Sequence, residues 1–259
     1  FPYTTLFRSV PDLPTVVHSV DHHSIWVNLA ALATAGLHQS VPTLQNGRFE
    51  IDTEGIPTGL VREWDAMNLI YAHQPKPSML SELEALRMAQ HSYLSQGVVA
   101  VQDAWIDPGM ELSYFEFAAR GMLDMRVNLG FRIDANDWQE SIAFAKESRS
   151  VCKSLGVPQL TANTIKVFID GVFGSQTAHV HGSYQDGSVS SPIWNSDELL
   201  EMLRGAQEAD FQLHFHCCGD AAVDVAVQSL KSISHSSQKS SLPAVIAHAD
   251  LISRSAMSE

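Results

Sequence analysis

From residue 98 onward, short apolar runs alternate with longer segments in which apolar residues recur at helical spacing. Five of the apolar runs have the length and the β-branched composition of buried strands: 98–103, 126–131, 164–170, 211–216 and 244–248. Between them, Asp137 with Glu140 and Asn195 with Glu198 are typical of helix N-termini, and Ser78 opens an earlier helix. Strands that alternate with helices in this way predict βαβ units and a parallel sheet.

The first part of the chain follows a different pattern. A β-rich run, Thr15-Val-Val-His-Ser-Val20, precedes a helical pattern that begins at Ser24 and ends at Gly36. Residues 41–63 are rich in Gly, Pro and other turn formers, which predicts a hairpin.

Polar residues gather at the C-terminal ends of the five predicted strands, where (β/α)8 barrels keep their active sites. The five strands therefore predict an α/β fold, a (β/α)8 TIM-type barrel with pieces missing. A doubly wound parallel sheet is the alternative, because the spacing of strands and helices does not separate the two folds.

Composition narrows the functional class. The chain has 259 residues, of which 45% are hydrophobic and 17% charged, so it can bury a core and is not wholly disordered. Its net charge of -13 is opposite to that of surfaces that bind nucleic acids or anionic membranes, and no apolar run is long enough to span a bilayer. Three cysteines, two of them adjacent, cannot form a disulfide framework, which predicts a cytoplasmic protein. The oligomeric state stays open.

Side chains that can do chemistry stand in or at the ends of the predicted strands: Asp103, Lys166, Asp170, His214, His216 and His248. Lys166 lies inside an apolar run, so it must be paired, neutralised or chemically modified, and an ion pair with Asp170 is one possibility. His214 and His216 point to one face of their strand, as two ligands of one metal could. Motifs of serine hydrolases and of nucleotide-binding loops do not occur.

Two other features are predicted to be structural. Cys152, Cys217 and Cys218 lack the CxxC spacing of zinc sites, so a cysteine-based zinc centre is not expected. Asp220, in a Gly-Asp-Ala-Ala context, is expected to cap the helix that follows it rather than to act in chemistry.

Six segments, taken in their order along the chain, match one known family: Asp21-His-His-Ser-Ile-Trp-Val-Asn28, Gly55-Ile-Pro-Thr-Gly-Leu-Val-Arg-Glu63, Gly97-Val-Val-Ala-Val-Gln-Asp-Ala104, Ile165-Lys-Val-Phe-Ile-Asp-Gly-Val-Phe-Gly-Ser175, His216-Cys-Cys-Gly-Asp220 and His248-Ala249. On these segments, the chain resembles amidohydrolase family 3, a branch of the metal-dependent amidohydrolase superfamily. The resemblance covers residues 10–259. Residues 1–9 instead match the translation of a common sequencing-library adapter, so we expect them to be an artefact.

The resemblance implies a fold and a domain organisation. The expected fold is an incomplete (β/α)8 barrel that lacks the first and last strands and carries a long insertion after strand one. Residues 10–63 would form that insertion, and residues 64–259 would form the partial barrel. The chain is therefore expected to be a fragment of a longer protein.

The resemblance also implies a metal site. Lys166 matches the ligand on the fourth strand, which is often carboxylated, His216 matches the ligand on the fifth and His248 the ligand on the sixth. Together they would hold one or two divalent metal ions, expected to be zinc. The His-x-His motif of the first strand is expected before residue 10, and the general-base Asp beyond residue 259.

The function implied for the intact protein is metal-dependent hydrolysis of non-peptide, amide-type carbon–nitrogen bonds in a small molecule. The chain alone, without half of the expected ligands, is predicted to be inactive. The alternatives are a catalytically silent barrel used for binding, or a non-functional gene fragment.

Overall fold

The computed structural model describes residues 10–20, 22–44, 47–234 and 241–258, so the predicted artefact at residues 1–9 lies outside the described residues. Two compact units make up the chain: unit 1, Phe1–Lys76, and unit 2, Pro77–Glu259. The division falls a little after the boundary at 63/64 that the family resemblance implies.

Among its described residues, unit 1 contains an antiparallel sheet of four strands in the order β1-β2-β4-β3 and two helices. The elements are β1 (Val16–His18), β2 (Ser24–Val27), α1 (Leu29–Thr34), β3 (Arg48–Ile51), β4 (Pro57–Arg62) and α2 (Trp64–Tyr71). Strands β3 and β4 pair as the hairpin predicted within residues 41–63.

The helix predicted to begin at Ser24 is wrong in its first part. Ser24–Val27 is the strand β2, in which Ile25 pairs with Val61 and both side chains are fully buried. The helix begins only after Asn28, whose side chain accepts a hydrogen bond from the backbone N–H of Ala31. The β-branched residues before that cap favour the extended conformation, because their side chains pack well on a half-buried sheet.

Unit 2 is an α/β unit around a curled parallel sheet of five strands, which corresponds to half of a barrel. Its strands, in their order in the sheet, are β5 (Ala100–Ile106), β6 (Arg126–Arg132), β7 (Leu160–Phe168), β8 (Gln212–Cys217) and β9 (Val245–His248). Its helices are α3 (Met79–Ser95), α4 (Glu111–Ala119), α5 (Trp138–Leu155), α6 (Ser196–Glu208), α7 (Asp220–Ile233) and α8 (Arg254–Met257). All five predicted strands are present. The doubly wound alternative is wrong, because the strand order of such a sheet reverses whereas this one is sequential.

Two helix starts in unit 2 follow the capping signals. Ser78 accepts a hydrogen bond from the backbone N–H of Ser81, and Asn195 accepts one from Asp197. Asp137 occupies the N-cap position of α5, but its side chain makes no capping hydrogen bond. Within the described residues, no helix combines the length and the apolar character that crossing a membrane requires.

The two faces of the sheet in unit 2 differ in chemistry. The side chains of Leu129, Phe131, Ile165, Val167 and Phe215 are fully buried in one apolar cluster with residues of the helices. The alternate positions carry polar groups on the opposite, inner face: Gln102, Asn128, Thr164, Lys166, His214 and His216. This alternation places the candidate chemistry on the inner face and the core under the helices.

Candidate metal centre

The three ligands predicted from the family resemblance, Lys166, His216 and His248, lie on the adjacent strands β7, β8 and β9. Lys166 Nζ lies 5.2 Å from the centroid of the Phe168 ring, and that ring stacks on His216 with centroids 4.7 Å apart. The rings of His216 and His248 meet edge to face, with centroids 4.4 Å apart. The structure therefore brings the three residues together near the C-terminal ends of their strands, while their role as ligands stays a prediction.

His248 reaches this position because the backbone at the end of β9 has an unusual conformation. It pairs in register with Cys217, a fully buried neighbour of His216 whose side chain points away from the inner face. At the end of β9, however, both His248 (φ 69°) and Ala249 (φ 48°) adopt left-handed conformations that residues other than Gly seldom adopt. The N–H of Ala249 donates to the carbonyl of Cys217 at 2.8 Å and stabilises this turn. The turn is a local strain of the kind that clusters at functional sites.

One ring nitrogen of His216 has a clear partner. Nε2 lies 3.1 Å from the carbonyl oxygen of Gly171. Because a carbonyl oxygen only accepts, Nε2 carries the proton and Nδ1 of the neutral ring carries the lone pair. A neutral histidine that donates its one ring N–H to a carbonyl, and so keeps the lone pair of the other ring nitrogen, has the arrangement typical of metal ligands.

Asp170, His216 and Cys218 form a buried cluster whose ligand atoms all lie within 4.8 Å of one another. The Asp170 carboxylate, however, accepts the backbone N–H groups of His179, Cys218 and Gly219 at 2.9, 3.0 and 2.8 Å. His216 Nε2 donates to Gly171, so it has no lone pair to offer on this side. We therefore interpret the cluster as support behind His216 rather than as a second metal position.

The ion pair between Lys166 and Asp170 that the sequence left open does not form. Among the described residues, Lys166 makes no ion pair, and Asp170 binds backbone amides instead. Lys166 is only 4% exposed, and burial lowers its pKa from 10.5 to about 8. The uncharged amine, which is the nucleophilic form, is thus accessible near neutral pH.

His214 lies beside Lys166, since the two residues are register partners on β8 and β7. Burial, together with the charges of Lys166 and His248, lowers the pKa of His214 from 6.5 to about 4. Its Nδ1 lies 2.6 Å from Gln102 Nε2, whereas its Nε2 is buried and has no hydrogen-bond partner among the described residues. Sequence reasoning singled out His214 but missed Gln102; the signal was a polar side chain at mid-strand in register with another, Asn128.

Two aspartates lie away from this group. Asp103 pairs in register with the buried Leu129, and its carboxylate accepts the hydroxyl of Tyr114 at 2.7 Å. The prediction that Asp220 caps the following helix is wrong in its position, because Gly219 is the N-cap of α7 and Asp220 is its first residue. Asp220 Oδ1 accepts the backbone N–H of Ala221, in the first turn of α7, at 2.9 Å and the backbone N–H of His181 at 3.0 Å. It thus ties a loop to the start of the helix.

Nitrogen donors dominate the group as a whole. Two imidazole rings in contact and a buried amine with a lowered pKa lie on adjacent strands. Imidazole nitrogens suit zinc and other late divalent metals. These residues therefore fit a divalent cation.

Comparison with known proteins gives one family. The sequence model described as "Amidohydrolase family" matches residues 4–259. The putative amidohydrolase YtcJ of Bacillus subtilis (strain 168) is 28% identical over 233 residues, which are 87% of this chain and 42% of the relative. The exoenzymes regulatory protein AepA of Pectobacterium carotovorum is 27% identical over 214 residues, which are 81% of this chain and 45% of the relative.

Solved structures give the same fold. An uncharacterized metal-dependent hydrolase from Pyrococcus horikoshii OT3 superposes with a TM-score of 0.65 and 19% identity, over 95% of this chain and 46% of that one. A second such hydrolase, from Pyrococcus furiosus, has a TM-score of 0.64 and 20% identity, over 96% of this chain and 48% of that one. The chain thus spans less than half the length of each of these four proteins.

Proposed function

Because the chain belongs to the amidohydrolase family, we propose that the complete protein is a metal-dependent hydrolase of non-peptide carbon–nitrogen bonds in small amide-type molecules. The observation that carries the proposal is the contact between the His216 and His248 rings beside the buried Lys166. The name of the Bacillus relative, a putative amidohydrolase, agrees with it.

In this proposal, Lys166, His216 and His248 hold one or two divalent ions, which we expect to be zinc. A divalent ion supplies Lewis acidity when bound, since it lowers the pKa of a water molecule and polarises a carbonyl group. The carbonyl of Gly171 fixes His216 with its lone pair on Nδ1, and the left-handed turn at the end of β9 directs His248 toward the same place. No general base is assigned within the chain, and we expect the 259-residue chain to be inactive by itself.

Lys166 acts in this proposal as a carboxylated residue. Its uncharged amine forms a nitrogen–carbon bond to CO2, one electron pair of a C=O bond moves to oxygen, and the nitrogen releases a proton to solvent. The product is a carbamate with a single negative charge. An anionic oxygen ligand among two imidazoles also removes the cost of burying an ammonium group.

The proposal extends to the fold of the complete protein. We infer that β5–β9 are consecutive middle strands of a (β/α)8 barrel that lacks its first and last strands in this chain, and that residues 10–63 are an insertion after strand one. The sequential order of the five strands supports this interpretation. Three buried free cysteines in unit 2 favour a reducing, cytoplasmic location.

The test is the metal content and the hydrolytic activity of the complete protein. We expect stoichiometric zinc and turnover of some members of a panel of small amides, ureas and cyclic imides. His216→Asn should weaken metal binding by more than tenfold, because it removes a ligand. His91→Asn, an exposed histidine on α3, is the matched control. A protein that binds no divalent metal, or that keeps its metal in His216→Asn, would contradict the proposal.

A further inference from the structure

A chain of hydrogen bonds crosses the inner face of unit 2, and its direction can be deduced from one backbone group. The backbone N–H of Asn163 lies 3.1 Å from Asn128 Oδ1, and a backbone N–H can only donate. This contact shows which of the two side-chain amide atoms of Asn128 is the oxygen, so the other atom, Nδ2, is the donor. Nδ2 donates to Thr164 Oγ1 at 2.7 Å and to Gln102 Oε1 at 3.3 Å.

The hydrogen bond from Gln102 also fixes the tautomer of His214. Because Gln102 accepts through Oε1, its Nε2 is a donor, and it lies 2.6 Å from His214 Nδ1. Nδ1 is therefore the acceptor nitrogen of the neutral ring, and the proton lies on Nε2. That N–H is buried and has no acceptor among the described residues. Buried donors without acceptors are rare in folded proteins, so this one indicates a group that is still to be added.

The position of His214 indicates where the acceptor would come from. Lys166 is its register partner on the adjacent strand, so the two side chains leave the same face side by side. A lysine ammonium has three donors and no acceptor, and the structure has no hydrogen bond between the two residues. A carboxylate on Lys166 would extend the side chain by one carbon and two oxygens and would supply both an acceptor and a negative charge.

We propose that His214 is a positioning residue for the carboxylated form of Lys166, with its Nε2–H donating to a carboxylate oxygen. The proposal rests on the carboxylation of Lys166 assigned under the proposed function. His214 binds neither metal nor substrate in this role. It orients the carboxylate, and Gln102 in turn fixes the tautomer that makes the donation possible.

Carbon-13 NMR of the complete protein in buffered ¹³C-bicarbonate, with and without zinc, tests the proposal. The carbamate resonance is assigned by its loss in Lys166→Met. In His214→Phe, which keeps an aromatic ring without a donor, half-occupancy should require at least about tenfold more bicarbonate. His214→Gln keeps an N–H donor and should restore part of the occupancy, and His91→Phe on the exposed face of α3 should match the wild type.

The outcomes separate this inference from the proposed function. Unchanged occupancy in His214→Phe would overturn the role of His214 and leave the carboxylation of Lys166 standing. Equal losses in His214→Phe and His214→Gln would also overturn it, since shape rather than a donor would then matter. If the wild type shows no carbamate at all, both the inference and the carboxylation are wrong.

Discussion

Replacing Lys166 with methionine should stabilise unit 2 at neutral pH. Lys166 is 4% exposed and makes no ion pair among the described residues, so the folded protein holds its charge away from water and without a counter-ion. Methionine has a similar length and no charge, and it adapts to irregular gaps in a core. In metal-free buffer without CO2, the variant keeps the packing and loses the electrostatic cost.

The size of the effect follows from the pKa of Lys166, which burial lowers from 10.5 to about 8. At about 1.4 kcal/mol per unit, the folded state should lose ~3 kcal/mol of stability below pH 8, where both states bind the proton. Between pH 8 and 10.5, only the unfolded state keeps the proton, so wild-type stability rises with pH. We therefore expect the advantage of Lys166→Met to be ~3 kcal/mol at pH 7 and ~1 kcal/mol at pH 9.5.

The assay uses the cysteines as reporters, because all three are buried and all three lie in unit 2. Pulse labelling with a maleimide at increasing urea concentrations, counted by mass spectrometry, gives the free energy of unfolding of this unit alone. Lys153→Met, at an exposed lysine on α5, is the control and should change stability by less than about 0.5 kcal/mol. A Lys166→Met protein that is no more stable than the wild type at pH 7, or whose advantage is independent of pH, would refute the reasoning.

Four further substitutions, one of them a control, test the packing around the site with the same labelling assay. A Cβ at Gly219 would overlap the backbone of His179, so Gly219→Ala should prevent the loop after β8 from closing and greatly reduce soluble protein. Gly205→Ala in α6 is the control: its Cβ would meet only ordinary contacts, so it should be neutral or stabilising by up to ~1 kcal/mol. An equal loss of soluble protein in Gly219→Ala and Gly205→Ala would show that the overlap with His179 is not the cause. Asp170→Asn replaces one acceptor oxygen with a donor beside three backbone N–H groups and should cost ~1–3 kcal/mol; no measurable loss would show that these bonds do not hold the loops. Phe215→Ala removes a fully buried ring and should cost ~3–5 kcal/mol, whereas a loss below ~1 kcal/mol would place that ring outside the core.

The elements of unit 2 are predictable from sequence because strands of a parallel sheet are buried on both faces and form continuous apolar runs between capped helices. The segment Ser24–Val27 is too short for its periodicity to separate strand from helix, and only its pairing with β4 decides. Lys166 and His216 stand out in the sequence because each is a polar residue in or at the end of a single apolar strand, and the family resemblance indicated both as ligands. The hydrogen bond of Gln102 to His214 does not, since the two residues are 112 positions apart and the register between β6 and β7 shifts next to Asn128.

The left-handed turn at His248 is also beyond the reach of sequence reasoning. Regular pairing with Cys217 would place this side chain on the helix side, and only the positive φ at the end of β9 directs it to His216. Nothing in the short run of residues 244–248 signals that conformation, because His and Ala adopt it rarely. The family resemblance indicated His248 as a ligand, and the structure adds the physical route by which it reaches the others.

The position of the metal is the most direct test of the account. Crystals of the complete protein grown with zinc should give an anomalous-scattering peak at the zinc edge ~2.0–2.2 Å from one ring nitrogen of both His216 and His248. For His216, that nitrogen should be Nδ1, because Nε2 donates to Gly171. A fully occupied peak between Asp170 and Cys218, or a zinc-loaded crystal with no peak beside these two histidines, would contradict the proposed centre.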